Sequence, residues 1–457
     1  MSRGKKAAQG LTPEEKLAQA LVPMEEQPYQ IPENWCWVRL ENISKRISDG
    51  SHNPPKDAGN GIPILSATNI HDHFIDIDAA TRWVTENQWK AENERTQIEP
   101  NDVLVTIVAT IGRTAVVKEE IFALQRSVAV IKPKINSEFL SYFIETPYVQ
   151  VYMNSNAKGT AQKGFYLSSL EQLYCVLPPL AEQQRIVDRI ESIFSKLDEA
   201  KEKAQAVVDG FELRKSAILH KAFTGELTAK WREEHGVTLD RWTKSTFSDV
   251  VDEFKYGLSE KSDYGYDGIP VFRIPNVTDN GLSFDDLKYL SHSQIDSSSL
   301  LRKDDVLIIR SNGSKELVGK SVLVPSLDKE YTYASFLIRA RLNHKIVPAY
   351  FVYYINSSDA RIQMFKKAKS SAGINNINSK ELGAINILVC SVSEQSEIVR
   401  ILDEFLDKEN AAKEAAEAVL EQIDTMKKAV LARAFHGELG TNDPAEESAV
   451  KLLKTML

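Results

Sequence analysis

Apolar positions along the chain follow two different periods. In residues 182–228, Ile186, Ile190, Ile193, Leu197, Ala200, Ala204, Val207, Phe211 and Ile218 recur in alternating steps of four and three, interrupted only by Arg214. In residues 394–440, Ile398, Leu402, Phe405, Ala412, Ala416, Val419, Ile423, Met426 and Val430 do the same, with Glu409 the one polar member. A mean step of 3.5 residues predicts a helix with a coiled-coil seam. A second row, Val187, Phe194, Val208 and Leu219 in the first stretch and Val399, Leu406 and Leu420 in the second, makes the apolar face wider than a two-helix seam needs. Further partners are therefore expected on it. Gly225 and Gly437 stand where left-handed C-terminal caps belong, with Lys221 and Arg433 in the last turn. Both helices should stop at the same point.

The two stretches are copies of one another. They align without a gap at a shift of 212 residues, with 19 identities in 47 pairs, against roughly one in twenty expected from average composition. Before each copy lies a domain-sized region, 35–180 and 241–393, in which short apolar strands alternate with Gly, Pro, Asn and Asp. These regions echo each other weakly: Ile64 to Ile70 against Val271 to Val277, Asp102 to Val105 against Asp305 to Ile308, Gly112 against Gly319, and Tyr142 to Ile144 against Tyr353 to Ile355. The expected architecture is α+β, with two mixed α/β domains separated by a pair of long antiparallel coiled-coil helices in a pseudo-twofold repeat. Its parts are an extension at 1–34, a first domain at 35–180, a central helix at 181–228, a linker and second domain at 229–393, and a C-terminal helix and tail at 394–457. Thr12-Pro13-Glu14-Glu15 predicts a capped helix in the extension, and Asp443-Pro444-Ala445-Glu446 predicts the start of the last one. These two ends are expected to pack together.

Composition narrows the class. With 457 residues and 42% hydrophobic content the chain is long enough for more than one core. Cys36, Cys175 and Cys390 are far apart, with no metal-ligand spacing, so neither a disulfide framework nor a zinc site is expected. No apolar run approaches bilayer length, and a cytoplasmic location is expected. A net charge of -8 argues against a protein that coats DNA unspecifically, so the placement of the basic residues matters more than their sum.

Basic and amide side chains gather in segments that differ between the two domains. The first domain offers Asn69, Arg113, Thr114, Arg126, Lys158, Gln162 and Lys163; the second offers Asn276, Arg310, Asn312, Lys315, Lys320, Ser321, Lys367, Lys369 and Asn375. Lys, Arg and hydroxyls suit phosphates, whereas Arg, Asn and Gln make bidentate contacts to base edges. Two similar scaffolds with different loops are what an asymmetric, two-part ligand calls for.

Three catalytic motifs nearly form. Asn53-Pro54-Pro55-Lys56 has lysine where an amino-methyltransferase needs an aromatic to stack on a flipped base. Gly313 to Ser321 has five residues between its glycines where a P-loop has four, and the following residues read as a strand. His52, His71 and His73 lie among aspartates in a segment rich in turn formers and read as surface loop. No catalytic centre and no metal site is expected.

The order of parts, with Leu177-Pro178-Pro179-Leu180-Ala181-Glu182-Gln183 leading into the first helix, Ser393-Glu394-Gln395 into the second, Ile31-Pro32-Glu33-Asn34-Trp35 opening the first domain, and Gly225 to Arg232 after the first helix, resembles the specificity subunits of Type I restriction-modification enzymes. The resemblance implies that each domain reads one half of an interrupted double-stranded DNA target and that the helices set the spacing. It implies that two modification (methyltransferase) subunits dock on the helices and bring restriction (motor-nuclease) subunits. S-adenosylmethionine, ATP and Mg are then expected on those partners and none in this chain. A coiled-coil scaffold with protein-binding end domains, and a methyltransferase, are the competing readings. The missing Pro-Pro before the second helix predicts that it enters at a looser angle.

Overall fold

The computed structural model describes residues 12–159, 163–265, 267–371 and 373–457. The chain divides into two units, Met1–Ala204 with Ala418–Leu457 and Gln205–Glu417. Each takes the head of one long helix and the tail of the other. The helices span Leu180–Phe223 and Val392–Phe435, 44 residues each, at the predicted shift of 212. Gly225 and Gly437 follow them at φ 82 and 77, so the predicted left-handed caps are present.

In the first unit a four-stranded antiparallel sheet has the order Ser44–Asp49, Val128–Pro133, Val103–Thr106, Thr114–Val116. The second unit repeats it with Val251–Tyr256, Leu337–Leu342, Val306–Ile309 and Ser321–Leu323. Val103–Val105, Val128–Ile131 and Val306–Ile309 read as unbroken apolar runs because the sheet is covered on both faces, whereas the central strand Leu337–Leu342 carries Arg339 and Arg341, held by Glu253 and Asp305. Val103, Val105, Ala129 and Ile131 enter one core with the long-helix residues Ile186, Ile190 and Phe435, while Leu104, Val128 and Val130 enter a second, beneath the hairpins and loops. In the second unit Val306 and Ile308 share a core with Phe223, Ile398 and Leu402, and Leu307 and Ile309 face the other way. The period of two assigns alternate side chains to alternate cores. Each domain is closed at its base by an antiparallel pair, Cys36–Arg39 with Tyr174–Leu177 and Thr243–Thr246 with Asn386–Val389. The three unpaired cysteines lie buried at these bases, where desolvation pushes the thiols of Cys36 and Cys390 up to about 12.

A buried Glu-Gln pair fixes the head of each long helix. Trp35 Nε1 donates to Glu182 Oε2 at 2.7 Å, and Trp242 Nε1 to Glu394 Oε2 at 3.0 Å. The segment after the opposite helix supplies the remaining donors. Asn442 Nδ2 reaches Glu182 at 3.1 Å in the first unit, whereas Thr228 Oγ1 and Arg232 Nη1 reach Glu394 at 2.8 and 2.7 Å in the second. Gln183 accepts from the Asn136 backbone N–H and donates to the Pro178 carbonyl; Gln395 accepts from Val347 and donates to Cys390. Ser391 Oγ accepts from the Glu394 N–H and caps the second helix. That cap stands where the Pro-Pro is absent, and the helix starts at the equivalent residue.

Within the units the long helices pack antiparallel. Lys427 meets Asp198 at 2.6 Å and lies 4.9 Å over the Phe194 ring in the first. In the second, Arg214 meets Glu409 at 2.7 Å, so the two polar interruptions of the seam pair with each other. Of the expected seam, Ile186, Ile190, Phe211, Ile398, Leu402 and Ile423 are buried, and Ile193, Leu197, Val207 and Phe405 partly so. Val419 and Met426 are not seam residues: they are 39% and 46% exposed. Leu420 and Lys427 turn inward beside Ala416, Ile423, Leu431 and Ala434 instead. The step there averages 3.6, that of a straight helix, and a strict 3.5-residue row drifts off the contact by about 20° per heptad.

The Pro13–Ala20 helix has its Thr12/Glu15 capping box and packs against the Ala449–Met456 helix, as expected of the two ends. The last helix does not start at Asp443. Arg185 takes the Glu446 carboxylate in a two-pronged pair at 2.8 and 2.7 Å, which makes 443–446 a turn and leaves Ser448 as the cap.

Arg232 and Glu394 are nearly sealed from water, whereas Arg214 is 37% exposed. Removing one partner of a buried pair strands a charge, so Arg232→Ala should cost about 3–5 kcal/mol. Arg214→Ala should cost no more than about 1 kcal/mol. Equal losses for the two variants in denaturant unfolding would refute this ranking.

Candidate nucleic-acid interface

In each unit four loops meet at one edge of the sheet, held by the same backbone hydrogen bonds. In the first unit Ser51 N–H donates to Leu124, Arg126 to Ser51, Ile107 to Ser127 and Phe165 to Ile107. In the second, Leu258 donates to Tyr333, Ser335 to Leu258, Arg310 to Phe336 and Ile377 to Arg310. Gly50 and Gly257 permit this meeting, since a Cβ there would lie 2.4 Å from the Gln125 carbonyl oxygen and 2.3 Å from that of Ala334. The loops carry different side chains on this common frame.

On the first frame Arg126, Lys158 and Lys163 are exposed and Arg113 is half-buried, and none makes an ion pair among the described residues. Gln162 lies outside the described residues. Thr114 is fully buried and does not face the loop surface. Its hydroxyl sits 2.7 Å from Ser141 Oγ and donates to Glu145 Oε1 at 2.7 Å, while His73 contacts Glu145 Oε2 at 3.0 Å and Ser141 Oγ at 3.3 Å. A serine, a histidine and a carboxylate thus meet, but both hydroxyls are sealed inside the unit. Burial alone pushes the His73 imidazole down; Glu145, with Glu138 and Asp72, outweighs it and holds the ring above its ordinary value. His52 instead contacts Asp49, and His71 stands 4.0 Å from Asp76, so the three histidines do not converge. Only His73 departs from the surface-loop expectation.

Asn69 and Asn276 are likewise interior. Asn69 Oδ1 accepts from the Ser66 N–H and its amide donates to the Asp76 carbonyl; Asn276 does the same with Arg273 and Asp285. Each holds a turn together, and neither is available to DNA in this arrangement.

On the second frame Ser311–Asn312 pairs with Ile374–Asn376, which pairs with Lys369–Ser371. Asn375 Nδ2 donates to the Gly313 carbonyl, and Lys315 lies 5.6 Å from the Phe365 ring. Lys369 is exposed and 3.6 Å from Glu381, Lys367 is half-buried, and Lys320 pairs with Asp279 at 2.9 Å. Ser321 is buried in its strand, where its N–H donates to Asn356 Oδ1, and it leaves the candidate set. The Gly313–Ser321 segment forms a turn and then a strand, without a helix to complete a phosphate loop. The sequence reading missed Tyr256, Phe336 and Ile374, apolar groups that reach the surface of this loop cluster.

Among the described residues no cluster of three or more His, Cys, Asp or Glu is placed to hold a metal ion, and no helix is long and apolar enough to cross a membrane.

A family model for the Type I restriction modification DNA specificity domain matches residues 32–208 and 240–422. The Type I restriction enzyme EcoKI specificity subunit of Escherichia coli is 26% identical over 437 residues, 91% of this chain and 92% of that protein. The EcoBI specificity subunit of Escherichia coli is 32% identical over 212 residues, 45% of this chain and 44% of that protein. Among solved structures, a chain from a study of complex assembly and conformational transition of the type I R-M system aligns at TM-score 0.66 and 19% identity, covering 90% of this chain and all of that one. The HsdS subunit from Thermoanaerobacter tengcongensis aligns at TM-score 0.59 and 19% identity, covering 91% and 100%.

The His73 ring has a pH signature. The folded protein holds the imidazole proton more tightly than the unfolded chain does, so the stabilisation is complete below the ordinary histidine range and is lost as pH rises through the raised value. His73→Asn, which still tolerates the left-handed backbone at φ 59, should therefore destabilise more at about pH 5.5 than at about pH 8.5. A cost that does not change with pH in chemical unfolding would contradict the assignment.

Proposed function

The chain belongs to the Type I restriction-modification DNA specificity family, and from that premise we propose that it gives such a complex its DNA target, each unit reading one half of an asymmetric, interrupted sequence. The observation that carries this is the repeated loop frame: four equivalent backbone hydrogen bonds in each unit, with Arg126, Lys158 and Lys163 displayed on one and Arg310, Asn312 and Lys369 on the other. A common frame with different side chains is what two different half-sites require.

Two modification subunits are the expected partners on the long helices, where Leu213, Val419 and Met426 are left exposed. Restriction subunits join through them. The chain itself is non-catalytic and acts in the cytoplasm, with S-adenosylmethionine, ATP and Mg held by the partners. In support, Asn53-Pro54-Pro55 continues into lysine, and the Ser141 and Thr114 hydroxyls beside His73 and Glu145 are sealed inside the unit.

The test is methylome sequencing of cells with and without this gene. The reading expects loss of one adenine-methylated motif made of two different short halves around unspecified bases. Loss of a symmetric, uninterrupted motif, or no loss at all, would overturn it.

A further inference from the structure

The second unit has an open cavity of about 530 Å³ at its loop cluster, with Arg310, Asn376, Ile374 and Lys369 in its wall. Arg310 follows directly on the central strand Val306–Ile309. Its guanidinium carbon stands 4.6 Å from the centre of the Tyr256 ring. One terminal nitrogen donates to the Ser335 carbonyl at 3.5 Å and the other to Asn376 Oδ1 at 3.1 Å. Each terminal nitrogen carries two N–H groups, so one on each remains for a ligand. The Tyr256 hydroxyl is itself fixed, accepting from the Ser379 N–H at 3.0 Å. The arginine is thereby immobilised before any ligand arrives, which lowers the entropy cost of using it.

Arg310 Nε is buried with no acceptor. That leaves the two terminal nitrogens as the guanidinium donors that can meet a ligand. The surroundings decide between phosphate and base. Lys369 stands 3.6 Å from the Glu381 carboxylate, and a phosphate pocket would not carry an anion in its wall. Beside the guanidinium the cavity wall is instead apolar at Ile374, which is 51% exposed.

Resting on the reading above, we propose that Arg310 is a specificity-determining residue that reads guanine O6 and N7 in the major groove, with Ile374 against the methyl group of a neighbouring thymine. A fixed fork for guanine and an apolar contact for the thymine methyl are the matching chemistries. The half-site of the second unit therefore contains guanine next to thymine. The first unit has buried Ile107 at the position of Arg310 and instead shows Arg126 at the position of Ser335. Its guanidinium comes from a different loop of the same frame, as reading a different sequence requires.

Genome-wide methylation in cells carrying the complete system tests this with Arg310→Ala, Arg310→Lys and Ile374→Ala, thermal melting of the assembled complex serving as the folding control. Arg310→Ala should lower the preference for guanine at one position by about tenfold or more. Arg310→Lys, which keeps the charge but loses the fork, should relax the same position. Ile374→Ala should relax an adjacent thymine in the same half. An unchanged motif in both arginine variants, a relaxed position that is not guanine, or relaxed positions in different halves would overturn the proposal. If the wild-type system shows no interrupted motif, it is the reading of the preceding subsection that fails.

Discussion

The burial of a carboxylate at the head of each long helix is the constraint on which the rest of the structure depends. Glu182 and Glu394 are fully buried, and a carboxylate without partners would be prohibitively costly there. Each is satisfied by a tryptophan from the opening of its own domain and by the segment that follows the opposite helix. The same contact therefore seats the domain, starts the helix and ties down the tail of the other helix. The chemistry differs between copies. Arg232 neutralises Glu394, whereas Glu182 receives neutral donors from Trp35 and Asn442, and burial pushes its carboxyl above the usual range. A duplicated solution has diverged without losing its geometry.

From those anchors the function follows by layers. One core joins the sheet to the long helices, and the second core, on the opposite face, supports the hairpins beside the loop cluster. Loops on the frame can vary because their backbone hydrogen bonds, and the glycines that let them approach, do not involve the side chains on display. One scaffold can thus carry two different sets of loop side chains within one chain.

Much of this was legible in the sequence because it repeats. A shift of 212 residues marked both helices and both caps, and the echoes at Asp102 and Asp305 or Tyr142 and Tyr353 fall in equivalent elements. The site was less legible. Asn69, Asn276, Thr114 and Ser321 have the side chains of DNA readers, yet they are buried, three of them hydrogen-bonded to local groups. Composition does not distinguish an asparagine that holds a turn from one that reads a base. Tyr256, Phe336 and Ile374 carried no signal of their own, since side-chain type does not tell an exposed apolar residue from a buried one. Val419 and Met426 were misplaced by the counting rule, because the seam there follows 3.6 residues per turn instead of 3.5.

The central claim is that recognition of each half-site resides in one domain, above its closing strand pair and independent of the helix anchors. It is tested most directly by replacing residues 36–177 with a second copy of 243–389 in the full chain, which leaves Trp35, Glu182 and the long helices in place, and sequencing the methylome of cells carrying the complete system. The account predicts a motif containing the half-site of the second domain twice. A motif that still contains the original first half would contradict it.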